Sequence, residues 1–110
     1  MKKIINSLFS IFGYKLKKEK WLYEKDKNLM ATLGENKISS IIDVGANTGQ
    51  FAESIFKNNF KGNIFSLEPL KQEHEILLKK KKKSQFKWQI AKRCALGSAE
   101  KKIKINISGL

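Results

Sequence analysis

The chain has 110 residues, 41% of them hydrophobic and 30% charged, and 23 basic against 10 acidic side chains give it a formal net charge of +13. That length admits one small domain or part of one, and the apolar content is too high for a chain that stays disordered. A single cysteine excludes an internal disulfide and a Cys-based zinc cage, so Cys94 reads as a small, buried, inert thiol in a reducing compartment, and the expected location is the cytoplasm.

The positive charge suits a polyanionic partner, because clustered basic side chains gain affinity through counterion release. The kind of basic residue argues against it. There are 22 lysines and one arginine, Arg93, whereas recognition of bases and phosphates relies on the planar, bidentate guanidinium. The lysines therefore read as compositional background, like the abundant Ile and Asn, and nucleic acid is not the expected partner.

Residues 1–18 join Lys2 and Lys3 to an apolar stretch, but Asn6, Ser7 and Ser10 interrupt it, no small-residue cleavage site follows, and it is too short to span a bilayer. Ile4, Ile5, Leu8, Phe9 and Phe12 fall at helical spacing, which predicts a short amphipathic helix that packs on the domain, with peripheral membrane contact as a second use. A second helix is expected from Glu19 to Leu33, with Trp21, Leu22, Leu29, Met30 and Leu33 on its apolar side and Gly34 as its stop. A boundary near residue 37 then separates a helical lead-in, 1–37, from an α/β region, 38–110.

Ile41 to Val44 is short, β-branched and apolar on both sides, as a central parallel strand covered on both faces would be. Gln50 to Asn58 reads as a helix with Phe51, Ile55 and Phe56 on one face, and Asn47 followed by Gln50 has the spacing of an N-cap with a reciprocal N3 partner. Ile64 to Leu67 makes a second buried strand closing at Glu68 and Pro69. A helix from Leu70 to about Lys80 follows, with Leu70, Leu77 and Leu78 inward, and the run Lys79 to Lys83 reads as its solvated end. Phe86 to Ala95 is expected to be a third strand region, Gly97 to Glu100 a turn, and Lys101 to Ile107 a strand whose Ile103, Ile105 and Ile107 share one face. Strands alternating with helices imply a right-handed parallel α/β sheet, in which ligands bind beyond the carboxyl ends of the strands.

The informative segment is Asp43-Val44-Gly45-Ala46-Asn47-Thr48-Gly49, a strand end running through two glycines into a helix. Gly45 permits a tight turn and close approach of a ligand to the backbone, and Gly49 lets the following helix pack close to the strand. Glu68, 23 residues after Gly45, stands where a carboxylate can accept from both ribose hydroxyls of an adenosine. A dinucleotide site would place a second glycine at Asn47 for access to the pyrophosphate, and no Walker lysine follows. An adenosine without phosphates, carrying a cationic sulfonium and ammonium, would welcome the Asp43 carboxylate. S-adenosyl-L-methionine fits that description.

Three stretches, IIDVGANTGQFAESIF, IFSLEPL and CALGSAEKKIKINIS, resemble the FkbM family of S-adenosylmethionine-dependent methyltransferases, over roughly residues 38–108. The family's DVGANxG loop, its EP pair and its ALG followed by a β-hairpin are matched in order, and the FGY at Phe12 to Tyr14 is similar to the start of such proteins. The resemblance implies a Rossmann-like class I methyltransferase fold. It implies cofactor contacts from Asp43, Gly45, Ala46, Asn47 and Gly49 to the methionyl part and from Glu68 to the ribose, with Pro69 shaping the loop beside the adenine. It also implies methyl transfer to a hydroxyl of a sugar or other natural product, so the expected partner is a small-molecule or glycan acceptor. In the family the acceptor pocket and a later acidic motif lie downstream of ALG. The expectation is therefore an N-terminal half of the domain, truncated after about the third core strand, with no catalytic residue to assign and with the first strand left with an open edge and an uncovered apolar face.

Plainer readings stand beside these. Asp43 could cap a loop, and Glu68 could be a helix-start carboxylate. His74, the only histidine, reads as packing rather than catalysis, without metal partners. Trp21 and Trp88 read as core or subdomain contacts. As alternatives, a catalytically inert module could grip RNA through Lys79 to Lys83 with Phe86 and Trp88, or the strand-loop-helix could hold NAD.

Overall fold

The structure, a computed structural model, describes residues 24–107. The expected amphipathic helix of residues 1–18, Trp21 and Leu22 lie outside them. The chain divides into two units, Met1–Lys37 and Ile38–Leu110. In the first, residues 24–35 are helical (α1), with Leu29, Met30 and Leu33 as its half-buried side. Gly34 does not stop this helix. It ends where both the backbone N–H and the side-chain amide of Asn36 donate to Thr32 O, at 3.1 and 2.8 Å, and Lys37 turns the chain at φ 52°.

The second unit alternates strands and helices: β1 Ser40–Val44, α2 Gln50–Lys57, β2 Asn63–Leu67, α3 Lys71–Lys83 and β3 Trp88–Ile90. Its three strands form a parallel sheet in the order β1-β2-β3, so the unit is α/β. The register aligns Ile41, Ile64 and Trp88 across the three strands, and Asp43, Ser66 and Ile90 two residues further on. Because strand side chains alternate, these six share one face and Ile42, Phe65 and Gln89 share the other. On the first face Ile64 and Trp88 join Ala52, Ile55 and Phe56 of α2, Phe60, and Leu77 of α3 as the buried core. Phe56 lies at the centre of the aromatic part, stacked on Phe86 at 4.6 Å and edge-on to Trp88 at 6.2 Å.

Within this unit, and among the described residues, the second face is open. Ile42 is 68% exposed and Val44 53%, which matches the expected bare strand and corrects the picture of β1 as a strand covered on both sides. β1 stands at the edge of the sheet.

Several local expectations change. Phe51 and Leu78 are exposed, and Ala52 takes the inward place on α2. α3 continues through Lys83, carrying the lysine run inside the helix. The third strand is three residues long, and 91–107 form no helix or strand, with Ile103, Ile105 and Ile107 all exposed. Strict alternation specifies a strand only where a neighbouring edge supplies the ladder, and 101–107 have none among the described residues. Cys94 is exposed, contrary to the buried thiol expected, because it lies in this irregular stretch.

Two devices set the entrance of β2. Asn59, at φ 69°, ends α2: its N–H donates to Phe56 O and the N–H of Phe60 to Ile55 O, the two bonds of a Schellman turn. Gly62 then passes so close to β1 that a Cβ would sit 2.3 Å from Ser39 O, and the Asn63 N–H donates to that same carbonyl at 2.9 Å. Among the described residues no helix is long and apolar enough to cross a membrane.

Candidate functional site

Asp43 and Val44 are the last residues of β1, and residues 45–49 form the loop from its carboxyl end to the start of α2. Three of its residues are left-handed: Gly45 at φ 72°, Asn47 at 53° and Gly49 at 94°. Its first turn is pinned to the neighbouring strand, because the N–H groups of Gly45 and Ala46 both donate to Leu67 O, at 3.0 and 2.9 Å. The two glycines serve different ends. Around Gly45 a Cβ would meet nothing within 4 Å, so its missing side chain leaves open space at the strand tip. At Gly49 a Cβ would lie 2.7 Å from the Trp88 ring and 3.0 Å from Leu77, so here glycine lets the helix start press onto the core.

The expected capping box is absent. Gly49 is the N-cap of α2, no side chain caps it, and Asn47 contributes its backbone instead: its N–H donates to Glu68 Oε2 at 2.7 Å. Sequence spacing misplaced the cap because the left-handed Gly49 delays the start of the helix.

Glu68 is 5% exposed and holds two loops together. Its Oε2 accepts from Asn47 and its Oε1 from the Leu70 N–H at 3.0 Å, which ties the glycine loop to the start of α3. Each carboxylate oxygen keeps a second acceptor position, so two hydroxyl donors could be accepted without loss of either backbone bond. Pro69 and Leu70 beside it are half-buried.

Asp43 lies one strand over, opposite Ser66 in the register. Its Oδ2 accepts from the Ser66 hydroxyl at 3.2 Å, and Ser66 Oγ accepts the buried indole N–H of Trp88 at 2.9 Å. Burial pushes the Asp43 carboxyl above the usual aspartate range, the bond from Ser66 opposes that, and the charge of Glu68 raises it further. The charge of Glu68 therefore acts on Asp43 across the tips of neighbouring strands. Of the remaining expected contacts, Ala46 and Gly49 are buried, while Gly45 and Asn47 are exposed on the loop. The chemistry this arrangement allows is recognition: two acceptor groups, one raised in proton affinity, beside a backbone that a ligand can approach.

Three participants escaped the sequence reading. Ser66 and Trp88 anchor Asp43 from inside the sheet, and the signal was a lone polar residue at an inward position of the apolar run NIFSL. Lys80 belongs to a lysine run read as solvated, yet its ammonium donates to Thr48 O at 2.6 Å and pairs with Glu53 at 2.8 Å, fastening α3 to the glycine loop. Nothing in the run of lysines distinguished it. The Nε2–H of His74 donates to Ala91 O at 2.8 Å, steadying the chain after β3.

At the other end of the strands a concavity of about 530 Å³ is lined by Phe56, Phe60, Lys61, Gly62 and residues 83–87. Phe86 is exposed there, but Trp88 is 4% exposed and offers no ring face to a base.

Comparison of the chain with protein-family models, with curated proteins and with solved structures gives no match.

Proposed function

We propose that the chain binds S-adenosyl-L-methionine at the carboxyl ends of β1 and β2, as the cofactor-binding part of a Rossmann-like, FkbM-type methyltransferase acting on a hydroxyl of a sugar or other natural product. The observation that carries this reading is the pairing of Asp43 and Glu68 at neighbouring strand tips, within electrostatic reach of each other, on either side of a Gly45 whose side-chain position is open. A half-buried Asp43 carboxylate on which the Glu68 charge also acts is unfavourable by itself, and a cationic ligand relieves it. A site for phosphates would gain from the opposite charge, which disfavours NAD.

The residues fit the cofactor by chemistry. Glu68 has acceptor capacity for a ribose diol, Asp43 offers its carboxylate to the cationic methionyl end, and Gly45, Ala46, Asn47 and Gly49 supply backbone that the ligand can approach. When bound, the cofactor supplies a methyl group on a sulfonium, whose departure leaves a neutral thioether. The protein's own share is to orient that end and keep water from it, which is where positioning contributes to the rate. Asp43 and Glu68 are assigned to binding.

Calorimetric titration of the full chain with S-adenosylmethionine, S-adenosylhomocysteine and NAD tests the reading. Saturable binding of the first two and none of NAD is expected, with Asp43→Ala and Glu68→Ala each weakening it by about tenfold or more, equivalent to about 1.4 kcal/mol. Binding of NAD with comparable affinity, or affinities indifferent to both substitutions, would remove it.

A further inference from the structure

We propose that Ser66 and Trp88 are positioning residues for Asp43, forming a one-way hydrogen-bond relay from β3 through β2 to β1 that holds the carboxylate in one orientation at the strand tip. The purpose assigned to this relay rests on the cofactor reading above, since Asp43 is the group given there to the cationic end of the ligand.

The direction of the relay follows from the donors available. An indole nitrogen only donates, so Ser66 Oγ, 2.9 Å from Trp88 Nε1, must accept. A hydroxyl has one proton to give, and Asp43 Oδ2 at 3.2 Å receives it. Both inner members are shielded, Ser66 at 0% and Trp88 at 4% exposure, so water does not compete for these bonds. Among the described residues no buried side-chain nitrogen or oxygen lacks a partner, and this relay is how the indole satisfies that condition. An apolar side chain would suit position 66 for packing alone. A serine there strands no donor and hands a hydrogen bond to the strand tip. Glu68, at the end of β2, is the charged group that acts on Asp43, and Lys80 on α3 is engaged by Thr48 and Glu53.

Bonds in such a chain polarise one another, so the charge on Asp43 is felt at the indole. The test uses the ¹⁵N-labelled full chain and follows the Trp88 indole resonance, identified by its loss in Trp88→Phe, across the carboxylate range of pH. The expected result is a one-proton curve with a midpoint above the ordinary aspartate value, abolished in Asp43→Asn and moved to lower pH in Glu68→Gln. A resonance indifferent to pH, or one that titrates unchanged in Asp43→Asn, would overturn the relay. In a second arm, S-adenosylhomocysteine affinity is measured against pH for the wild type and Ser66→Ala. Losing the hydroxyl should shift the acid-side fall in affinity to higher pH, and an unshifted fall in a folded Ser66→Ala chain contradicts the positioning role. If Ser66→Ala does not fold, the wild-type resonance still decides. That resonance is read without ligand, so a wild-type chain that titrates but binds no S-adenosyl ligand refutes the cofactor reading separately.

Discussion

The two faces of the sheet are made from the same strands and similar residues, yet one is a core and the other is bare. On the helix-covered face Ile64, Ser66 and Leu77 are wholly buried, and even the polar groups are paired. On the other, Ile42, Val44 and Phe65 are exposed. Apolar composition alone thus says little about burial. What decides is whether a helix is tied down over the strand, and here α2 and α3 are tied to one side by Gly49 against Trp88 and Leu77 and by Lys80 against Thr48 and Glu53. The candidate site sits at the tips of the covered face, where that rigidity holds Asp43 and Glu68.

The contrast can be broken most severely at Leu77. Leu77→Ala should cost about 2–5 kcal/mol by leaving a cavity under both helices, whereas Ile42→Thr on the bare face should change stability by no more than about 0.5 kcal/mol and raise the soluble concentration. Urea unfolding of the two variants measures the difference. If both cost alike, the bare face is covered in solution.

Next in size are the two glycines of the loop. Gly49→Ala combines a left-handed backbone with a collision against the Trp88 ring and should cost about 2–4 kcal/mol. Gly45→Ala carries only the backbone term of about 1–2 kcal/mol. Its larger effect should be on S-adenosylmethionine affinity, because its methyl group would enter the open space at the strand tip. Thermal melts beside calorimetry separate the two outcomes.

Lys80→Met tests the tie between α3 and the loop. The pair with Glu53 is a third exposed at both ends, so its loss should lower stability by about 1 kcal/mol or less, and less at high salt.

The smallest effect carries the opposite sign. Because the Asp43 carboxyl is raised in the folded chain, chiefly by burial, its charged form is held at a cost. Whatever stability it lends is complete below the ordinary aspartate range and is lost as pH rises through the raised value. Asp43→Asn should therefore melt above the wild type near neutral pH, with the gap closing as the pH falls below the ordinary range, while ligand binding is weakened. Melting curves across pH read this directly. A variant less stable than the wild type at neutral pH would mean that the charged carboxylate stabilises the fold.

Much of this arrangement was legible in the sequence, and the reasons differ by element. The alternation of β1, α2, β2 and α3 could be read because short apolar runs alternate with helical spacing and are bounded by Gly, Asn or Pro, and Gly45 and Glu68 stand out as residues that backbone packing alone does not require. The cap of α2 was misread because left-handed Gly49 moved the helix start. The strand expected at 101–107 did not form because its ladder depends on an edge elsewhere, which periodicity does not encode. Ser66, Trp88 and Lys80 were invisible as site residues since their roles arise from contacts 22 to 32 positions away in the chain. Spacing along a strand or helix reports local geometry, and such partners appear only when the sheet is assembled.

Whether a cationic adenosyl ligand occupies the tips of β1 and β2 is decided by amide chemical-shift mapping of the full chain during titration with S-adenosylmethionine. The largest changes are expected at the N–H groups of residues 45–49, Glu68 and Leu70, with the far end of the strands, residues 60–62 and 84–87, unmoved. Changes concentrated at that far end, or none at saturating ligand, would contradict that occupancy.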